Sequence, residues 1–260
     1  MAKGDIPKNL YPQLRVDHIQ NPNRLYAVPL LGIAIKIVMC FPIFIELIFL
    51  GIASLFLMII NSFIVLLTGN YWQTAYDFFL GLLRLNTKLL LFFFGLTNTY
   101  PGFGFEIKDK TISFDMDMPK TPNRFFAIPL LGGIARIVLL IPYFIYVSVM
   151  QHASGIGAVA SSFLVLFMGK YPESTYEIER DFVRLNQATA AYMVGLSDSY
   201  PSFWISMNHQ TVKIILIILG ALFMLGNNMS NVFSPHKNFS DQNIILPTSM
   251  QPQNSSGSSY

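Results

Sequence analysis

The sequence predicts an all-α integral membrane protein made of two tandem, parallel repeats and one C-terminal transmembrane helix. Each repeat is predicted to contain a transmembrane helix hairpin and an amphipathic interfacial helix, with short β-strands on the cytoplasmic side. The first supporting observation is composition, because 53% of the 260 residues are hydrophobic and only 12% are charged. Soluble domains carry about 25% charged residues. The other two observations are long apolar tracts and an internal repeat.

The apolar tracts cover residues 27–67, 127–168 and 212–229. Each of the first two is long enough for two crossings of about 20 residues each. We predict the turns at GIAS (51–54) and at QHASG (151–155). The third tract is long enough for one crossing. The polar N-terminal stretch lacks the apolar core of a secretory signal, so we expect no cleaved leader.

The internal repeat has a constant offset of 100 residues and no gaps. NPNRLYAVPLLGIAIKIV at 21–38 returns as TPNRFFAIPLLGGIARIV at 121–138, and GLTNTYPGF at 95–103 returns as GLSDSYPSF at 195–203. About a third of the aligned positions are identical, which chance does not produce. An even number of crossings per copy predicts parallel copies, related by an axis along the membrane normal.

Each copy carries the same local signals in its first helix. Asn23 is a predicted N-cap, Pro29 suits a first helical turn, and Pro42 lies inside the helix, where we expect a kink. All three recur in the second copy, as Asn123, Pro129 and Pro142.

A further helix follows each hairpin and is predicted to lie in the membrane interface. In the second copy the apolar stripe is formed by Ile178, Phe182, Leu185, Thr189, Tyr192 and Leu196, and the opposite stripe by Glu177, Arg180, Asp181 and Arg184. This spacing is typical of an amphipathic helix at an interface. The first copy is more apolar, but Arg84 and Lys88 interrupt it, and each charge at mid-bilayer costs about 2.5–3.5 kcal/mol on insertion scales.

Alternating segments near the repeat ends predict a small sheet on the membrane surface. They are YPQLRVDHI at 11–19, FGFEIKDKTISFDMDM at 103–118 and FWISMN at 203–208. The second segment predicts a β-hairpin around the polar KDK turn.

We expect four domains: a first membrane repeat with its N-terminal strand (1–105), a second repeat (106–205), a transmembrane helix (206–229) and a disordered polar tail (230–260). Two hairpins return the chain to its starting side. All Lys and Arg residues except Lys237 then lie on that face or in the adjoining helix ends, which the positive-inside rule makes cytoplasmic. The tail is then on the opposite side.

This ordered set of motifs resembles a bacterial membrane family known as domain of unknown function 4389, over residues 11–105 and 112–205. The matching pieces in the first copy are Tyr11-Pro12, Val16-Asp17, Pro22-Asn23-Arg24-Leu25, Thr68-Gly69-Asn70-Tyr71, Tyr76-Asp77-Phe78, Arg84 and Tyr100-Pro101. Those in the second are Asp117, Pro122-Asn123-Arg124, Gly169-Lys170-Tyr171-Pro172, Arg184 and Tyr200-Pro201. The resemblance implies a bacterial inner-membrane protein and no established activity.

Six cationic residues are candidates for binding a lipid phosphate or another anion. Lys36 and Arg136 share one repeat position deep in the first hairpin helix, where they predict an intramembrane cationic site; the alternatives are snorkelling to the interface or a structural pairing inside the bundle. Arg24 and Arg124 are placed at helix N-termini, which favour anions. With Arg84 and Arg184 they could hold phospholipid headgroups, or simply anchor the protein against the anionic leaflet.

No motif for a catalytic, cofactor or metal site is present, and the four histidines lack ligand spacing. We therefore expect no enzyme activity and no cofactor. The expected function is that of a structural or accessory subunit of a larger inner-membrane complex. The alternative is lipid or small-anion binding between the two repeat hairpins. Expected partners are membrane lipids and a protein of the same complex, and no nucleic acid.

Overall fold

The computed structural model describes residues 12–119, 121–203, 205 and 208–233, with side chains described up to Asn227. The elements, in chain order, are β1 (Gln13–Val16), α1 (Arg24–Ala27), α2 (Leu31–Thr68), α3 (Gln73–Phe94), β2 (Ile112–Asp115), a 3₁₀ helix (Arg124–Ala127), α4 (Leu131–Met168), α5 (Glu173–Met193) and α6 (Gln210–Phe233). The polar tail expected from residue 230 lies almost wholly outside the described residues.

The two long helices α2 and α4 are continuous over 38 residues each. The turns predicted at 51–54 and 151–155 are therefore wrong, because both segments are helical. The polar side chains there need no turn: Ser54 Oγ donates to the Gly51 carbonyl oxygen at 2.6 Å, within the helix. A helix of this length extends about 57 Å, nearly twice the hydrocarbon thickness of a bilayer.

Three helices are long and apolar enough to cross a membrane, namely α2, α4 and residues 210–227 of α6. The five predicted crossings thus become three candidate spans among the described residues. Neither α3 nor α5 is one of them.

The helical hairpin of each repeat is formed by the long helix and the helix that follows it. At one end Asn61 Oδ1 accepts from the backbone N–H of Trp72 at 3.1 Å, and at the other Lys36 Nζ donates to the Phe93 carbonyl oxygen at 3.0 Å. α3 therefore runs antiparallel to α2. The second repeat has the same arrangement, with α5 antiparallel to α4.

The two repeats meet through α3 and α5, where Phe94 and Phe182 form an edge-to-face pair with ring centroids 5.5 Å apart. The start of each long helix lies beside the end of the other. Ile33 and Phe163 line one common cavity, and Ile59 and Ile134 line another. α2 and α4 therefore run in opposite directions, unlike the parallel arrangement that we expected from an even number of crossings.

The C-terminal helix α6 packs against α4 and α5. Its backbone approaches α4 so closely that a Cβ on Gly220 would lie 2.6 Å from the backbone nitrogen of Ala153. Lys213 Nζ of α6 lies 2.7 Å from Glu177 Oε2 of α5, and both side chains are buried. α6 is thus held by a small-residue contact and an ion pair.

Two residues of the charged stripe of α5, Glu177 and Asp181, are buried, and Arg180 and Arg184 are half-buried, although an amphipathic helix at an interface turns its charged face to water. Glu177 and Asp181 are 5% and 1% exposed. The stripe is covered partly by α6, which comes from a distant part of the sequence. An amphipathic pattern in one helix does not reveal which segment will pack on its polar side.

The small sheet has two strands among the described residues, with β1 antiparallel to β2 and Leu14 opposite Phe114. The hairpin predicted around the KDK turn is wrong. The carbonyl oxygens of Gly104 and Glu106 accept hydrogen bonds from Lys88 Nζ, at 2.8 and 3.0 Å, instead of pairing in a ladder. Three of the six residues in the predicted strand at 203–208 lie outside the described residues, and the other three are not in a strand.

Candidate functional site

Two cavities lie between the repeats, at positions related by the offset of 100 residues. The Lys36 cavity has a volume of about 420 Å³ and the Arg136 cavity about 400 Å³. Each is lined by the start of one long helix, the C-terminal half of the other, and the end of α3 or α5. Most of the lining is apolar. Concave, largely apolar spaces of this size are typical of small-molecule sites.

The repeated Pro-Leu-Leu-Gly segment shapes one wall of each cavity. Leu30 has φ 63° and ψ −53°, and the backbone N–H of Leu31 donates to the Pro29 carbonyl oxygen at 2.7 Å, which makes a tight γ-turn. Leu130 has the same conformation in the second copy. Gly32 follows the turn because a Cβ there would lie 2.3 Å from the Tyr26 carbonyl oxygen.

The predicted N-caps Asn23 and Asn123 are confirmed, each accepting from the backbone N–H two residues later at 2.9 and 3.0 Å. They cap four-residue helices rather than the long helices, which start only at Leu31 and Leu131. The γ-turn separates each short helix from the long helix that follows, so the asparagine caps only the short one.

Lys36 lies about 8 Å into α2 and is 5% exposed. Its Nζ donates to the Phe93 carbonyl oxygen near the end of α3, where backbone acceptors lack helical partners. The rings of Phe92 and Tyr26 lie beneath it, with centroids 5.7 and 5.9 Å from Nζ. The cation is therefore buried inside the protein and does not snorkel to the interface.

Arg136 occupies the same position in the second copy and has more partners. Its Nη1 donates to the carbonyl oxygens of Tyr192 and Ser197, both at 2.8 Å, and its Nη2 to Asp198. The side chain is 5% exposed. This arrangement ties the end of α5 to α4, which matches the structural alternative considered for this position.

Each cavity receives a tyrosine from the other repeat. Tyr171 lines the Lys36 cavity, and its hydroxyl is hydrogen-bonded to the Phe94 carbonyl oxygen, at 3.0 Å, and to Glu179. Tyr71 lines the Arg136 cavity, but its buried hydroxyl has no hydrogen-bond partner among the described residues. The difference follows from the sequence, because Phe79 stands at the repeat position of Glu179.

Glu179 is fully buried, behind Tyr171. Burial raises the pKa of this carboxyl well above its usual range, and neither the hydrogen bond with Tyr171 nor the charge of Lys36 offsets that effect. Glu179 Oε1 has no hydrogen-bond partner in the described part of the chain.

The other four predicted cations lie outside the cavity linings. Arg24 packs against Gly169 and Arg124 against Gly69, which are the C-caps of the opposite long helices. Cations are favourable at helix C-termini, so these arginines join the repeats. Arg84 donates to the Phe114 carbonyl oxygen, at 3.2 Å, and to Asp115, at 3.3 Å. Half-buried Arg184 lines a small separate pocket of about 60 Å³.

Lys36 and Arg136 are cavity residues that the sequence singled out, whereas Asn98 and Asp198 were missed. Tyr71 and Tyr171 were predicted to be interface aromatics first and ligand contacts only second. A comparison of the two copies could have identified Asn98 and Asp198, because the first copy has a neutral amide where the second has a carboxylate. The cross-repeat position of the tyrosines has no sequence signal.

The candidate spans and the paired cavities define a helical membrane protein with internal ligand-sized spaces. A protein-family model, Domain of unknown function (DUF4389), matches residues 133–205. The match runs from the start of α4 past the end of α5, so it supports the family resemblance for the second copy. No curated protein and no solved structure matches the chain.

Proposed function

We propose that this protein binds amphiphilic ligands, above all membrane lipids, in the two cavities between its repeats. The observation that carries the proposal is that two cavities of similar size, each with one buried cation in its wall, occupy the same place in both copies. Two unrelated packing gaps would not share their lining positions. The protein is proposed to act without catalysis.

An amphiphile suits the chemistry of the cavity walls. Apolar side chains of α2 and α4, such as Ile33 and Val159 in the Lys36 cavity, offer a surface for an acyl chain. Polar groups are few and cluster near the cation and the ends of α3 and α5. A ligand with an apolar chain and one polar end meets both surfaces.

The experiment is native mass spectrometry of the full chain extracted from its own membrane in mild detergent. We expect one or two bound lipids, which Ala158→Trp and Met58→Trp should displace from the Lys36 and Arg136 cavities respectively, because each fills its cavity. Ile52→Trp, on the outer face of α2, is the matched control. Equal lipid retention in all variants would contradict the proposal.

For the location we propose the bacterial cytoplasmic membrane, with the N-terminus cytoplasmic and the tail periplasmic. Bacterial origin and a tandem pair of family units are part of the same proposal, supported by the family match and the sequence repeat. Three candidate spans, an odd number, suit chain ends on opposite sides. The basic residues give this orientation no further support, because only five crossings would place them on one face.

The accessory-subunit function is a second candidate, and one observation favours it. α6 covers α4, but no comparable helix packs on α2 among the described residues. Phe49, at the repeat position of Val149, is 68% exposed. A transmembrane helix of a partner protein would fill that place.

A photo-crosslinking amino acid at Phe49 tests this candidate in the native membrane, with Val38 on the outer face of α2 as the control site. A single protein captured from position 49 and not from position 38 supports an accessory function. Crosslinks to lipid alone at both sites would contradict it.

A further inference from the structure

We propose that the Lys36 cavity binds an amphiphile with an anionic headgroup, whose phosphate or carboxylate oxygen accepts a hydrogen bond from Lys36 Nζ, whereas the Arg136 cavity has no preference for anions. The inference rests on the proposed function and assigns different ligands to the two cavities. The observation behind it is a difference in charge between the two cavities.

Among the described residues, the cation of the Arg136 cavity has a counterion and the cation of the Lys36 cavity does not. Arg136 is paired with Asp198. At the repeat position of Asp198 the first copy has Asn98, which also lines its cavity. Lys36 forms no ion pair with any carboxylate among the described residues. The Arg136 cavity is therefore neutralised from within, and the Lys36 cavity keeps an uncompensated positive charge.

The two cations are otherwise placed alike. A Cβ on Gly95 would lie 3.6 Å from Lys36 Nζ, and one on Gly195 would lie 3.8 Å from Arg136 Nη2. The same backbone role is shared by Asn98 and Asp198: the first accepts from Asn23 N–H at 2.9 Å and the second from Asn123 N–H at 2.6 Å. The missing carboxylate is thus a local difference within a conserved geometry of the two copies.

Lys36 also has unused hydrogen-bonding capacity. An ammonium group has three donors, and within the part of the chain that the structure describes one of them is used, toward Phe93. A buried cation without a counterion is costly, and two aromatic rings compensate for it only in part. An anionic oxygen entering the cavity would supply the charge and the acceptor that Asp198 supplies in the other cavity.

Glu179 does not act as this counterion. Tyr171 has one hydroxyl hydrogen but is hydrogen-bonded to both the Phe94 carbonyl oxygen and Glu179. The two bonds are compatible when Tyr171 donates to Phe94 and a protonated Glu179 donates to Tyr171. Burial favours the same neutral form of Glu179. The positive charge of Lys36 is then available to a ligand.

The test uses the full chain in nanodiscs of zwitterionic lipid and three probes that share one photoreactive acyl chain. They are a fatty acid, a monoacyl phosphate and an uncharged fatty alcohol. Peptide mapping separates the cavities, since the Lys36 cavity is lined by residues within 22–36, 93–98 and 155–171, and the Arg136 cavity by residues within 55–71, 122–137 and 193–198.

In the native chain we expect at least one anionic probe to label the Lys36 cavity at about tenfold lower concentration than the alcohol does, since a hydrogen bond to a charged group is worth that much or more. The Arg136 cavity should show no such difference. A stronger phosphate or a stronger carboxylate signal would both support the proposal and would identify the headgroup.

Reciprocal variants exchange the counterion. Asn98→Asp should remove the anion preference of the Lys36 cavity, and Asp198→Asn should create one in the Arg136 cavity. Lys36→Met should abolish the preference and Lys36→Arg should keep it, with thermal unfolding as the check that each variant is folded. Lys36→Arg and Asn98→Asp serve as the decisive pair if Lys36→Met does not fold.

Equal labelling of the Lys36 cavity by charged and uncharged probes, or a preference unchanged in Asn98→Asp, would overturn the inference and leave the proposed function standing. Absence of labelling in both cavities by all probes would overturn both.

Discussion

Lys213 of α6 and Glu177 of α5 form an ion pair 2.7 Å long that is buried on both sides. Asn208 Nδ2 donates to the other carboxylate oxygen of Glu177 at 3.1 Å. This contact joins the C-terminal helix to the centre of the second repeat. It also explains why a lysine is tolerated near the start of a candidate span.

Breaking this pair from one side should release α6. Lys213→Met leaves the buried carboxylate of Glu177 without its nearest cation, and the exposed His209 ring, 3.6 Å from Oε2, replaces it only in part. We therefore expect a loss of up to about 3–5 kcal/mol of stability. Glu177→Gln with Lys213→Met should cost less than Lys213→Met alone. Thermal unfolding in detergent measures both, and a double variant less stable than the single one would contradict the argument.

The same pair predicts a dependence on pH. Burial alone would raise the pKa of Glu177, but the hydrogen bonds from Lys213 and Asn208 and the charge of Lys213 together lower it from 4.5 to about 2. A carboxyl with a lowered pKa stabilises the fold above its unfolded pKa. We expect this contribution to be complete above about pH 4.5 and lost as the pH falls toward 2, and Glu177→Gln to remove that part of the pH profile.

Glu179 should show the opposite sign. Its pKa is raised by burial, so the folded state holds the proton more tightly than the unfolded state, and stability falls as the pH rises above the unfolded value of 4.5. Glu179→Gln should therefore be more stable than the native chain at pH 8, with the difference shrinking toward pH 4.5. Unfolding curves of both chains across this pH range test the prediction. A difference in stability that does not change with pH would count against a neutral Glu179.

The repeat offers matched tyrosines for a test of cavity packing. Tyr171→Phe removes a hydroxyl that is hydrogen-bonded to Glu179 and Phe94, and should cost about 1–3 kcal/mol. Tyr71→Phe removes a buried hydroxyl without a partner and should be neutral or stabilising. Equal effects of the two substitutions on the unfolding temperature would show that the two hydroxyls have equivalent environments.

The close approach at Gly32 predicts a strong steric effect. Gly32→Ala places a Cβ 2.3 Å from the Tyr26 carbonyl oxygen, so the γ-turn must shift, at a cost of about 1–3 kcal/mol or more. Gly51→Ala in the same helix meets no atom within 4 Å and should be neutral or slightly stabilising. Similar unfolding temperatures for the two variants would argue against the tight turn.

The continuity of α2 is measurable as a distance. Spin labels at Val38 and Leu67, both on the exposed face, should lie about 44 Å apart along one helix. A hairpin turned at 51–54 would bring them to about 10 Å, the spacing of packed helices. Cys40 is fully buried and is replaced by alanine in the labelled chain. Labels at Val138 and Phe167 repeat the measurement in the second copy.

The sequence by itself predicted the membrane class and the N-caps at Asn23 and Asn123, which the structure confirms. It also shows the internal repeat at an offset of 100 residues, and it singled out Lys36 and Arg136. Composition, periodicity and capping are local properties, so they can be predicted from the order of the residues. The tertiary structure decided that α2 and α4 continue as helices through residues 51–54 and 151–155, and that α3 and α5 pack along them as antiparallel partners. It also decided that α6 buries Glu177 and that Tyr71 and Tyr171 enter the opposite repeat's cavity. These contacts join residues far apart in the chain, and their energy depends on packing that no local pattern records.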